Sequence, residues 1–182
     1  HIASGYSTRY DIGCFGGRHF TYVAAFGAFS WLSYTTDQNM KNVLGHTAYI
    51  LDAIKDLYKI KPLHMKVTAD GVTHEDDYIF GAICNTTSVA GTITLPSAMV
   101  DTADGVFEVL LVKMPKTMLE LDMIIRGLLS QDYSCPNIDL FQAKELDIEN
   151  PPELEWSLDG EASGVMDKAH VSVIPRFLNL RG

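Results

Sequence analysis

The chain has 182 residues, which suits one domain or part of a larger protein, and its 14 Lys and Arg against 23 Asp and Glu give a formal charge of −9. With 47% hydrophobic and 20% charged residues it carries enough apolar surface for a packed core, which excludes a disordered, collagen-like or coiled-coil chain. The acidic balance argues against a nucleic-acid partner, because a phosphate backbone must be met by clustered Lys and Arg.

The opening residues, His1 to Tyr10, hold neither a charged segment followed by an apolar one nor an initial Met, and they read as a cut made inside a longer protein. His19 to Phe29 mixes aromatics with Val and Ala and is expected to be a buried strand running through Gly27 into a turn or helix. From Asn42 to Tyr58 the apolar positions Val43, Ile50, Leu51, Ile54 and Leu57 recur at helical spacing, opposite Asp52, Lys55 and Asp56. After Lys61-Pro62 the period changes to two. Leu63, Met65 and Val67 alternate with His64, Lys66 and Thr68, and Asp70-Gly71 then turns the chain into a second arm at Val72.

Asp77 to Thr87 continues as a largely apolar strand, Ser88 to Ser97 reads as a Gly/Thr/Pro loop, and Val106 to Val112 as a buried strand. Lys116 to Leu129 carries Met118, Leu121, Ile125 and Leu128 on one helical face, with Pro115 just before it. Ile138 to Ile148, Glu153 to Leu158 and Ala169 to Ile174 alternate as antiparallel strands. The fold class expected is mainly β (α+β): a β-sandwich of antiparallel strands with about two packed helices. The longest apolar stretches, such as Tyr22 to Leu32, fall far short of the roughly 20 residues a helix needs to cross a bilayer. Cys14, Cys84 and Cys135 show no C-x-x-C spacing, which favours buried thiols in a reducing compartment over disulfides or zinc.

Three constellations can carry chemistry. In Asp101-Thr102-Ala103-Asp104-Gly105-Val106 an acidic loop feeds a buried strand; carboxylates beside loop carbonyls suit Mg²⁺ or Ca²⁺, and Asp and Gly equally suit an ordinary turn. In Leu158-Asp159-Gly160-Glu161 an alternating strand ends in a turn between two acids. Glu161 there has the chemistry of a general base toward a hydroxyl, while Asp-Gly is also the common hairpin turn. In Thr35 to Asn42 polar residues lead into a helix, so Lys41 stands where phosphate can be held, or where a plain cap is found. The six His show no metal spacing, and neither a G-x-x-x-x-G-K-[ST] loop nor a G-x-S-x-G elbow is present.

Five stretches, in order, give these motifs a common frame: Asp11-Ile12-Gly13, His19 to Ser30 (HFTYVAAFGAFS), Lys41 to Tyr49 (KNVLGHTAY), Pro96 to Phe107 and Trp156 to Glu161. Together they resemble the C-terminal domain of the bacterial soluble diacylglycerol kinase and lipid kinase family, within the NAD kinase-like superfamily. The resemblance implies that residues 1–182 form the lipid-substrate and catalytic-base domain. A separate N-terminal domain would bring the Gly-Gly-Asp-Gly-Thr nucleotide motif, which this chain does not contain.

By the same resemblance, Glu161 with its neighbour Asp159 is the catalytic pair, Glu161 taking the proton of a lipid hydroxyl as it attacks the γ-phosphate of ATP. Asp104, with main-chain carbonyls near Asp101 and Val106, is similar to a structural Mg²⁺ site, and Lys41 to a basic residue near the cleft. Ala24-Ala25 departs from relatives that hold a polar residue such as Asn there. The implied function is ATP-dependent phosphorylation of a diacylglycerol-like membrane lipid by a cytoplasmic protein peripheral to the inner face of the membrane. The family is often dimeric, and the 182-residue chain alone is expected to be inactive. The rival readings are a non-catalytic β-sandwich that binds a ligand or partner, and a kinase with a soluble acceptor, as in NAD kinases.

Overall fold

Alternating buried and exposed side chains build thirteen strands in the described part of the chain, against one helix. The computed structural model describes residues 7–27, 61–89 and 93–181. Strand β1 (Ser7–Phe15) turns through Gly16 and Gly17 into β2 (Arg18–Phe20), followed by β3 (Val23–Gly27). Then come β4 (Leu63–Ala69), β5 (Val72–Cys84), β6 (Ser88–Val89), β7 (Ile93–Thr94), β8 (Phe107–Lys113) and helix α1 (Met118–Ser130). The chain continues with β9 (Ile138–Ala143), β10 (Glu145–Glu149), β11 (Glu155–Leu158), β12 (Glu161–Val165) and β13 (Lys168–Arg181).

The main sheet runs β12-β11-β3-β5-β4-β10-β13-β1-β2, with β8 and β9 branching from β5. The fork follows from the length of β5. Its first half pairs with β4, from Ala69↔Val72 to Leu63↔Tyr78, and its second half with β8, from Tyr78↔Lys113 to Cys84↔Glu108. A bulge at the changeover, between Tyr78 and Phe80, turns the two limbs toward each other. Phe15, Phe26, Val67, Phe107, Val109, Ile148, Trp156 and Val171, drawn from both limbs, form the larger core. Every pairing is antiparallel, as expected for the mainly β, sandwich-like fold.

Helix α1 covers the outer face of β5 and β8, where Leu121, Ile124, Ile125 and Leu128 meet Ile79, Ala82, Leu110 and Val112 in a second core. It begins at Met118, two residues later than the proline signal suggested. Thr117 is the N-cap, its hydroxyl accepting the Glu120 N–H, while the Glu120 carboxylate accepts the Lys116 N–H at 2.6 Å. Gln131, in the left-handed region at φ 60°, closes the last turn.

Other expectations change in detail. The strand expected over 19–29 is two strands broken at Thr21-Tyr22. The stretch 88–97, expected as a loop, contains the two-residue ladder β6–β7 and buries Val89, Ile93 and Leu95. Segment 138–148 divides at Lys144, because the Asp70 carboxylate takes the N–H groups of Lys144 and Glu145. The last strand runs through Pro175 to Arg181, since a bulge opposite Asp11 gives proline a place without a ladder donor. The helix expected over 42–58 lies outside the described residues.

Candidate active site

The hairpin β11–β12 turns on Asp159 (φ 51°) and Gly160 (φ 91°), both left-handed, as a two-residue hairpin of this twist requires. Its defining feature is where the Asp159 carboxylate goes. Oδ2 accepts the Thr21 N–H at 2.7 Å and the Thr21 hydroxyl at 2.9 Å; Oδ1 accepts the N–H groups of Tyr22 at 2.8 Å and Val23 at 2.9 Å. The Asp159 N–H in turn donates to the Val23 carbonyl at 2.8 Å. Partial burial works to raise the pKa of Asp159, but the bonds from Thr21, Val23 and Tyr22 outweigh it and hold the carboxyl below its usual range. Both oxygens are thus committed to bracing the β2–β3 break.

Glu161 follows at the start of β12, paired with Leu158 across the hairpin and exposed. No hydrogen bond or ion pair engages its carboxylate among the described residues, so the two acids of the turn differ in kind: one is a fixed anchor, the other a free carboxylate on an edge strand. Beside the turn lies a cleft of about 380 Å³ lined by Tyr22, Val23, Ala25, Phe80, Val89 and Ser157 with the turn itself. Its walls are chiefly apolar. Ala25, on β3 between Ser157 and Ala82, points to this cleft, whereas Ala24 is buried in the larger core. A methyl group therefore lines the cleft wall at Ala25. Gly27 also lines the cleft; at φ 89° it lies so close to β5 that a Cβ would stand 2.2 Å from the Ile79 carbonyl oxygen.

The acidic loop before β8 is organised from within by Asp11, a buried carboxylate at 1% exposure. Its two oxygens accept the N–H of Gly105 and of Arg176, each at 2.6 Å, while its own N–H reaches the Thr102 carbonyl at 2.8 Å. Asn85 donates to the Asp11 carbonyl at 2.8 Å. Asp101 and Asp104 each accept the N–H two residues on, from Ala103 at 3.0 Å and Val106 at 3.1 Å. These are the local turn bonds that Asp makes in any such loop. Among the described residues no three His, Cys, Asp or Glu come together as a metal cluster. A hard cation in this loop would rest on the remaining oxygen of Asp104 with main-chain carbonyls and water, an all-oxygen set of the kind Mg²⁺ takes.

Glu108, two residues beyond Val106, is wholly buried and receives Gln142 Nε2 at 3.2 Å on Oε1. Burial pushes its carboxyl up to about 7, against the Gln142 bond and with the added repulsion of Asp104 and Asp101. The structure thus brings Asp159 and Glu161 together at one turn, and Asp101, Asp104 and Val106 in a separate loop. Lys41 lies outside the described residues. Sequence reasoning assigned no role to Asp11, Thr21 or Arg18; the one available signal was a lone Asp inside the apolar run Tyr10-Asp11-Ile12.

Residues 28–182 match the family model of the YegS C-terminal NAD kinase beta sandwich-like domain. A diacylglycerol kinase of Staphylococcus aureus (strain bovine RF122 / ET3-1) is 29% identical over 184 residues, covering 98% of this chain and 54% of that protein. The chain thus spans about half the length of the curated relatives it matches. Among solved structures, a diacylglycerol kinase from Bacillus anthracis superposes with a TM-score of 0.63 at 19% identity, over 96% of this chain and 53% of that one. An NAD kinase from Archaeoglobus fulgidus in complex with ATP gives 0.54 at 8% identity, over 97% and 55%. Both likenesses are of fold.

Proposed function

The chain belongs to the YegS C-terminal NAD kinase beta sandwich-like domain family, and from that premise we propose that it is the acceptor-side domain of an ATP-dependent lipid kinase acting on a diacylglycerol-like alcohol. The observation that carries this reading is an apolar cleft walled on one side by the anchored turn Asp159-Gly160, with the free carboxylate of Glu161 on the next residue of the hairpin, outside the cleft's lining. Glu161 accepts the proton of the acceptor hydroxyl as its oxygen attacks phosphorus. Asp159 supplies position, not proton transfer. Tyr22, Val23, Ala25, Phe80 and Val89 exclude water and suit a hydrocarbon segment better than a polar acceptor, which favours a lipid over an NAD-like substrate.

Mg²⁺, when bound at Asp104 and the neighbouring carbonyls, would neutralise charge and hold the loop that Asp11 organises. In this reading the ATP phosphates fall mainly to residues beyond these 182, with Lys41 as a further contact, so the chain alone transfers no phosphate. In this reading the protein meets its lipid at the membrane surface. No helix among the described residues is long and apolar enough to cross a membrane. The test is ATP-dependent phosphate transfer to diacylglycerol in mixed micelles by the intact gene product that carries this chain. Transfer supports the reading. Absence of transfer to diacylglycerol and to other lipid alcohols would leave the alternative of a non-catalytic binding domain.

A further inference from the structure

β12 and β2 are the two ends of the nine-strand path of the main sheet. Such ends present unpaired backbone groups, and β12 is weakly held: among the described residues it pairs only with β11, in a ladder with an irregularity between Glu155 and Ser157, and contains Gly164 at φ 84°. Its residues are mostly exposed, so little packing keeps it in place. One side chain joins the two ends. Arg18 Nη1, on β2, donates to the carbonyl oxygen of Ala162, on β12, at 3.1 Å across 144 positions of sequence.

Arg18 is held in the β1–β2 hairpin, opposite Phe15. It follows the two-glycine turn Gly16 (φ 55°) and Gly17 (φ 86°), which is pinned to β13 by the Gly16 N–H on the His170 carbonyl at 3.0 Å. No carboxylate pairs with the Arg18 guanidinium among the described residues, so its one recorded bond is this carbonyl. Just before Ala162 in sequence stands Glu161, and just before Gly160 stands Asp159, whose carboxylate grips Thr21, Tyr22 and Val23. The 18–23 segment therefore holds the hairpin on both sides of Glu161.

We propose that Arg18 is a positioning residue for Glu161: its guanidinium fastens edge strand β12 to β2 and, with the Asp159 anchor, fixes the direction in which the Glu161 carboxylate leaves the hairpin. The proposal rests on the reading of Glu161 as base for its catalytic meaning, and on the geometry alone for the clamp. Arg18 touches no substrate in this account. Planarity and reach suit Arg to the task; a Lys at the same place can donate to the same oxygen from a more flexible stem.

The test uses Arg18→Met and Arg18→Lys. In the 182-residue chain, amide hydrogen exchange of residues 161–165 is expected to quicken on the order of fivefold in Arg18→Met, the loss of one net hydrogen bond. Arg18→Lys should recover most of the protection, and β4, β5 and β10 should exchange as in wild type. In the intact gene product Arg18→Met is expected to lower kcat with the KM for ATP unchanged, and Arg18→Lys to restore part of it. Unchanged exchange over 161–165 in Arg18→Met would overturn the clamp. Faster exchange with unaltered kcat in an active enzyme would overturn the positioning role. Faster exchange in a gene product that phosphorylates no lipid alcohol would uphold the clamp while removing the base reading.

Discussion

Replacing Asp159 by Asn isolates the turn anchor, because the side chain keeps its shape and loses its charge. The wild-type carboxylate accepts four hydrogen bonds of 2.7 to 2.9 Å, two on each oxygen. An Asn keeps one acceptor oxygen, and its amide group must face one pair of donors. Facing Thr21 is the cheaper choice, since the Thr21 hydroxyl can rotate and accept, leaving the Thr21 N–H without its partner. One bond is then lost and two pass from a charged to a neutral acceptor, which at an exposed turn, with water as substitute, costs about 2 kcal/mol. For a domain of this size that corresponds to a Tm lowered by about 4 to 8 °C at pH 7. The pH dependence gives a second check. The carboxyl is held below its ordinary 3.8, so its contribution is present above that value and disappears as pH falls through the folded-state value. Melting curves of the two chains should differ at pH 7 and converge as acidification takes pH down through the lowered pKa of the carboxyl. Equal Tm at pH 7, or a gap that persists in acid, would refute the anchoring argument.

Three further outcomes are expected. Gly27→Ala puts a methyl group 2.2 Å from the Ile79 carbonyl oxygen on a backbone at φ 89°, so it should cost about 3 kcal/mol and be visible as an early circular-dichroism melt; an unchanged Tm would mean the β3–β5 contact is looser than described. Mg²⁺ at millimolar concentration should raise the Tm of wild type and leave that of Asp104→Ala unmoved, whereas identical melts with and without metal in both chains would remove the structural-cation assignment. The exposed His64 ring is hydrogen-bonded to Asp77 and Glu75, which raise its pKa above the ordinary 6.5. Its favourable interaction is present below that pH and fades as pH rises through the folded value, so an NMR titration of the ring should give a midpoint above 6.5; one at or below it would show that the carboxylates are not engaged.

What the sequence revealed and what it concealed divides along the range of the interactions. The hairpin at Asp70-Gly71 is legible because both arms and the turn lie within one stretch, with the alternation of Leu63, Met65 and Val67 on its face. Helix α1 is legible for the same reason, although Thr117 and Glu120, a side-chain cap, mark its start better than Pro115. β1 was not legible: its polar start, Gly13 and the two glycines that follow it look like loop, and its partner β13 is at the other end of the chain. Nor was the continuation of β13 through Pro175, which depends on Asp11 receiving the Arg176 N–H from 165 positions away. Both Asp-Gly turns were readable as turns. That Asp70 and Asp159 each send the carboxylate to a distant segment, Lys144-Glu145 and Thr21 to Val23, is a tertiary fact with no local signal.

The site is legible in a similar proportion. Asp159 and Glu161 were recognisable as a pair, but their separate duties appear only when the partners of each oxygen are counted. The Asp104 loop was recognisable as acidic, while the buried Asp11 that shapes it drew no attention beyond a motif match.

The central claim, that Glu161 is the base of a phosphoryl transfer, is tested most directly by the initial rate of ATP-dependent diacylglycerol phosphorylation by the intact gene product and its Glu161→Gln variant, with a melting curve of each. The account predicts a kcat lower by about 10² to 10⁴ with Tm essentially unchanged, since the Glu161 carboxylate has no partner among the described residues and its loss removes only proton transfer. Equal turnover by the two proteins would contradict it.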